Sequence, residues 1–217
     1  MWFFITFPIS GTLLLALILL GLSTGANITE VLVNILNEHQ KLLIISMAFL
    51  SVSVTVTSLE KIQSTFKKVI CIGINIVLDY IIQLGAVVII FTEVNAMVEG
   101  FENNSVGMVF IFIFGVLELL IMILAGIGGG YGIPFKINEI VAMMEERNIP
   151  GIIAIGINVI LKIIYGIVFL GLCYMLMKEY YPNAYNNLFQ NTIYDTALKT
   201  SAEWMESFAL VVTKYMP

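Results

Sequence analysis

VICIGINIVLDYIIQLGAVVIIF, residues 69–91, decides the fold class of this chain. The run is almost wholly apolar, and a helix that crosses a bilayer needs about 20 such residues. The whole chain agrees, because 59% of its residues are hydrophobic, 12% are charged and its mean hydropathy is +0.99. Soluble proteins are about one quarter charged, and a membrane barrel would show alternating segments of about 10 residues. We therefore expect an all-α, polytopic integral membrane protein.

The apolar runs predict about five transmembrane helices, at residues 2–22, 42–58, 69–91, 107–128 and 151–177. The first run lacks a preceding basic region, so we interpret it as a retained span rather than a signal peptide. The second run contains SVSVTVTS, which alternates with the period of a strand. A lone strand leaves its backbone unsatisfied in lipid, so we expect this segment to be helical. Residues 1–177 would then form one membrane domain.

The charges of the short loops predict the orientation. Lysines occur in the 59–68 loop, a lysine and an arginine occur in the 129–150 loop, and the 92–106 loop has glutamates but no basic residue. Basic loops face the cytoplasm, so we expect a multi-pass protein of the cell membrane with a cytoplasmic N-terminus and an extracytoplasmic C-terminus. The two Asn-x-Ser/Thr sequons, at Asn27 and Asn103, fall on the outer side; they are glycosylation acceptors or chance tripeptides.

Two further segments are amphipathic or aromatic. Apolar residues recur with helical spacing at Ile137, Ile140, Val141 and Met144, which predicts a short amphipathic helix on the cytoplasmic interface. The tail, residues 178–217, is rich in tyrosine, and its last apolar stretch is too short to span. It either follows the outer membrane surface or docks a partner protein through its aromatic residues.

The segment AGIGGGYGIP, residues 125–134, contains five glycines. Its Gly-Tyr-Gly is typical of a potassium filter, but such a filter is a re-entrant loop, and a full-length apolar run precedes this one. A phosphate-binding loop would need Lys-Ser/Thr after the last glycine, where this chain has Ile-Pro. We therefore expect a helix to end here because proline cannot continue it, with Gly128, Gly129, Gly130 and Gly132 as a candidate hinge.

Three isolated charges lie near the centres of predicted spans: Asp79, Glu118 and Lys162. A charge at that depth costs roughly 2.5–3.5 kcal/mol on insertion scales, so these side chains should face one another or a wet cavity. Neighbouring polar residues at helical spacing extend the candidate network: Asn75, Gln83 and Asn158. The network is either an ion or proton site or a salt bridge that clamps helices, within this chain or with a neighbouring subunit.

The sequence offers no catalytic, cofactor-binding or metal-ligating constellation. The single histidine, His39, excludes haem ligation by a pair of histidines. The two cysteines lie near opposite ends of predicted spans, too far apart for a disulfide. The net charge of −5 argues against nucleic-acid binding. We expect a non-enzymatic component of a transport or translocation system that works in the lipid bilayer, as a homo-oligomer or with other membrane subunits. The alternative is a structural membrane subunit of a larger assembly, of the secretion, DNA-transfer or respiratory type.

Overall fold

The computed structural model describes residues 30, 31, 33, 40–60, 62, 64–103 and 108–215. Across these residues the chain is helical and has no strands, which confirms the all-α prediction. The helices, in chain order, are α1 (Gln40–Ser58), α2 (Thr65–Asn103), α3 (Met108–Ile127), a π-helical segment (Gly128–Gly132), α4 (Ile133–Glu146), α5 (Gly151–Tyr180), α6 (Pro182–Phe189) and α7 (Ile193–Tyr215). The predicted span at 2–22, the sequon at Asn27 and the histidine at 39 lie outside the described residues.

Three of the described helical stretches are long and apolar enough to cross a membrane: Thr65–Ala96, Leu120–Glu146 and Gly151–Tyr180. A shorter apolar helix covers Ile44–Ser58. This last segment contains SVSVTVTS, so the helical interpretation of that alternating sequence is confirmed. Ser51 and Ser58 donate to the carbonyls of Met47 and Val54, at 2.9 and 2.6 Å, which satisfies their hydroxyls inside the helix.

The prediction that a helix ends at the glycines is wrong. The backbone stays right-handed helical at Ile127, Gly132 and Ile133, and the five residues between α3 and α4 form a π-helix. A π-helix bonds each N–H to the carbonyl five residues back, and this change of pattern accommodates Pro134, which has no N–H to donate. The amphipathic segment is therefore not a separate interfacial helix. It continues the preceding helix and belongs to the apolar stretch Leu120–Glu146.

The helix does end after α4, at a Schellman motif. Asn148 adopts φ 58°, the left-handed conformation common for the residue that follows a helix. The N–H of Asn148 donates to the carbonyl of Glu145 at 3.0 Å, and the N–H of Ile149 donates to that of Met144 at 3.1 Å. Pro150 then prevents continuation, so α5 begins afresh at Gly151.

The chain forms two compact units. The first contains the described residues up to Gln83 together with Ile127–Ile163, and the second contains Leu84–Gly126 together with Ile164–Pro217. The core of the first unit brings together the end of α1, the start of α2, α4 and the start of α5. Its buried members are Leu59, Ile62, Cys71, Val141, Ala142 and Ala154.

The aromatic tail folds back within the second unit. A Cβ added at Gly171 of α5 would lie 3.2 Å from Ala202 Cα of α7, so these helices touch at their backbones. Further along, residues of both helices line one apolar groove: Ile164, Ile167, Val168, Trp204, Met205 and Phe208. Gly171 of α5 lies beside Ala202, and the earlier residue Ile164 lies near the later residue Phe208. Helix α7 therefore packs antiparallel against α5 over this length.

Candidate intramembrane charge site

The candidate site is an ion pair between α2 and α5 in the first unit. Lys162 Nζ on α5 donates to Asp79 Oδ1 on α2, and both side chains are 0% exposed. Each residue belongs to one of the stretches able to cross a membrane. A buried charge is tolerated only when it is paired and hydrogen-bonded, and each of these charges supplies the other's counter-ion.

Two further helices complete the coordination of the carboxylate. Thr55 Oγ1 on α1 donates to Asp79 Oδ2 at 2.6 Å, and Asn138 Nδ2 on α4 donates to the same oxygen at 3.3 Å. Asp79 thus accepts hydrogen bonds from three side chains on three helices. Thr55, Asn138 and Lys162 are all buried. Charge-assisted hydrogen bonds of this kind are roughly twice as strong as neutral ones. The carboxylate therefore ties α1, α4 and α5 to α2.

An asparagine lies one helical turn before each member of the ion pair. Asn158, one turn before Lys162, donates to the carbonyl of Ile137 at 2.9 Å and to Asn138 Oδ1 at 3.5 Å. Asn75, one turn before Asp79, donates to the carbonyl of Cys71 at 2.8 Å. The side-chain oxygens of Asn75 and Asn158 are buried without a hydrogen-bond partner. Buried polar atoms normally have a partner, so these two oxygens are acceptors available to water or a cation.

Gln83 lies on the same face of α2 as Asp79 but serves a different contact. With its amide nitrogen toward α1, the side chain donates to the Met47 carbonyl at 3.0 Å, and its oxygen accepts from the backbone N–H of Ser51 at 3.3 Å. This orientation satisfies both ends of the amide. Gln83 therefore fastens α2 to α1 and does not contact the ion pair.

Glu118 has different partners. It lies on α3 in the second unit, is exposed on this chain and accepts a hydrogen bond from the Tyr181 hydroxyl. Tyr181 directly follows α5, and its pKa is raised by burial and by the neighbouring carboxylates. The hydroxyl therefore remains a proton donor to Glu118. The structure thus joins Asp79 to Lys162 and, through Asn138, to Asn158. Asn75 bonds to Cys71 on its own helix, and Glu118 has a tyrosine partner.

Sequence analysis missed Thr55 and Asn138 as partners of Asp79. Thr55 belongs to the alternating segment SVSVTVTS, in which no single hydroxyl stands out. Asn138 lies among the apolar positions of a segment interpreted as a surface helix, where an asparagine attracts no notice. One signal was present: Asn138 stands three and four residues before Val141 and Ala142, so the three share one helix face, and a polar residue beside apolar ones points to a buried partner.

Among the residues that the structure describes, no cluster of three or more His, Cys, Asp or Glu side chains could hold a metal ion. Comparison with models of known protein families, with curated proteins and with solved structures finds no match for this chain. The fold and the site define a class only: an α-helical protein with described helices long and apolar enough to cross a membrane and a charge pair buried among them.

Proposed function

We propose that this protein is a non-enzymatic component of a membrane transport or translocation system, and that the Asp79–Lys162 pair is its ion or proton site. The observation that supports the proposal is a fully buried ion pair within apolar helices, flanked by the two unpartnered oxygens of Asn75 and Asn158. Ionisable residues at membrane depth mark ion and proton pathways.

The pair has two chemically distinct states. When Asp79 is ionised, it holds Lys162 and accepts from Thr55 and Asn138. When Asp79 takes up a proton or binds a cation, Lys162 loses its counter-ion, and the ammonium must release a proton or turn to another acceptor. The free oxygens of Asn75 and Asn158 are acceptors of that kind. Two such states give an equilibrium that a transported ion can shift.

The number and orientation of the spans are part of the proposal. We infer about five spans in the cell membrane, with the 59–68 segment and the end of α4 near Glu145 inside. The ion pair between Lys67 and Glu145, 3.7 Å apart, supports this because it brings the start of α2 and the end of α4 to the same end of the first unit. Labelling of single cysteines from outside should reach residue 99 and spare residue 67. Equal labelling of both positions in intact cells contradicts this topology.

A second candidate function is a structural subunit of a larger membrane assembly. It is favoured by the completeness of the Asp79 coordination, since three donors on three helices make an effective clamp. Measured proton movement separates the two functions. The transport proposal requires proton movement by the purified chain in vesicles, and the subunit proposal requires stable co-purification with other chains and no such movement.

A further inference from the structure

A second cluster of ionisable groups lies in the second unit, apart from the charge pair. Glu93 on α2 faces Glu118 on α3 and the Tyr181 hydroxyl. Glu93 is 3% exposed, and its Oε1 has no hydrogen-bond partner. The Tyr181 hydroxyl donates to Glu118. Two carboxyl groups from different helices therefore lie beside one hydroxyl group, and that hydroxyl donates to Glu118.

The cluster has one hydrogen-bond donor fewer than its carboxyl groups require. Tyr181 has a single hydroxyl proton, which it donates to Glu118, so the unpartnered oxygen of Glu93 receives none. The ion pairs among the described residues join Lys67, Lys136 and Lys162 to other carboxylates, and none reaches Glu93 or Glu118. Burial of an ionised carboxylate without a counter-ion is very costly, and two neighbouring carboxylates cannot both ionise freely.

We propose that Glu93 is a proton-binding carboxyl group that holds a proton at neutral pH and donates it to Glu118 in a hydrogen bond, with Tyr181 as the donor that orients Glu118. The bound proton lets Glu93 donate to Glu118 and removes the repulsion between α2 and α3. Release of the proton leaves two facing carboxylates and separates them. The titratable groups that face Glu93 are Glu118 on α3 and Tyr181 after α5. This site is separate from the Asp79–Lys162 pair and does not depend on its function.

Infrared spectroscopy of the purified protein in lipid nanodiscs tests the proposal. We expect the wild type at neutral pH to show the carbonyl band of a protonated carboxyl group, and Glu93→Gln to lose it. Glu203→Gln is the matched control, because Glu203 is exposed on α7, and it should keep the band. Tyr181→Phe should move the pH at which the band disappears. If Glu93→Gln fails to fold, Glu93→Asp replaces it and should shift the band.

Three results would overturn the proposal. One is a wild-type spectrum without a protonated carboxyl band at neutral pH. Another is a band that survives Glu93→Gln in the folded protein, since the proton would then sit elsewhere. The third is loss of the band on adding calcium with recovery on chelation, because the pair would then bind a divalent cation in place of a proton.

Discussion

Asn138 Nδ2 lies 3.3 Å from Asp79 Oδ2. This hydrogen bond joins α4, which follows the glycine-rich π-helical segment, to the charge pair between α2 and α5. A movement of α4 away from α2 would break it. The π-helical segment is the candidate hinge for such a movement, and π-helical turns are often found at functional sites. The bond therefore connects the candidate hinge with the candidate ion site.

Replacement of Asn138 by leucine should destabilise the folded protein. The change removes a donor from Asp79 and leaves the Asn158 amide without its Asn138 acceptor. Loss of a buried hydrogen bond of this kind costs about 1–3 kcal/mol. Thermal unfolding in detergent measures the effect. The control is Glu139→Gln on the same helix, which breaks a largely exposed pair with Lys136 and should cost less than about 1 kcal/mol. Equal effects of the two changes would contradict a role for Asn138 in the buried network.

Alanine at Gly128 should affect movement more than folding. A Cβ at this position meets no other atom within 4 Å, so the substitution fits, and alanine favours a regular helix over glycine by about 1 kcal/mol. If the segment is a hinge, Gly128→Ala raises thermal stability and slows transport in vesicles. Gly73→Ala on α2 is the control, since its Cβ is also unobstructed. Transport unchanged in Gly128→Ala, relative to that control, argues against a hinge.

Valine at Gly171 should detach α7 from α5. Its Cβ would lie 3.2 Å from Ala202 Cα and from the Ser201 carbonyl oxygen, and a backbone cannot move aside as a flexible side chain can. Limited proteolysis should then cleave α7 faster than in the wild type. Gly156→Val on the same helix meets no atom within 4 Å and should leave the cleavage rate unchanged. A Gly171→Val protein as resistant as the Gly156→Val protein contradicts this packing.

Alkaline pH should weaken the tail through Tyr185. This side chain is fully buried and donates to Asp195 Oδ1 at 3.0 Å; burial, and then the Asp195 charge, raise its pKa. The unfolded chain loses this tyrosine proton near the ordinary pKa of about 10, whereas the folded protein keeps it to higher pH. The free energy of unfolding is therefore constant below about pH 10 and falls as the pH rises above it. Tyr185→Phe should flatten this fall in unfolding temperature, whereas Tyr180→Phe, at an exposed position, should not. An alkaline loss of stability that is the same in both variants would contradict the assignment.

The sequence predicted the parts of the structure that depend on composition and helical spacing. The all-α membrane class follows from the apolar runs, and the centres of those runs identify Asp79 and Lys162 as charges in need of partners. The continuation through Gly128–Gly132 could not be predicted, because glycine and proline disfavour an α-helix and the chain solves the conflict with a π-helix. The contact of Asn138 with Asp79 depends on that continuation, so it was hidden for the same reason. The pairing of Glu118 with Tyr181 depends on how α3 packs against the end of α5, which local sequence does not determine.

Lys162→Met should destabilise the protein, because it leaves Asp79 as an unpaired buried anion; breaking a buried ion pair in this way costs about 3–5 kcal/mol. The double variant Asp79→Asn/Lys162→Met removes both charges and should recover much of the lost stability. Unfolding temperatures in the same detergent give the comparison. A double variant no more stable than Lys162→Met contradicts the direct ion pair.

The folded double variant also supplies the most direct test of the proposed function. Wild-type and double-variant proteins are reconstituted in equal amounts into vesicles that contain a pH-sensitive dye, and a membrane potential is imposed to drive protons inward. The account predicts that wild-type vesicles acidify faster than empty vesicles and that Asp79→Asn/Lys162→Met vesicles do not, although the variant is folded. Acidification by the double variant at the wild-type rate, or no acidification by the wild type, contradicts the assignment of Asp79 and Lys162 as the proton site.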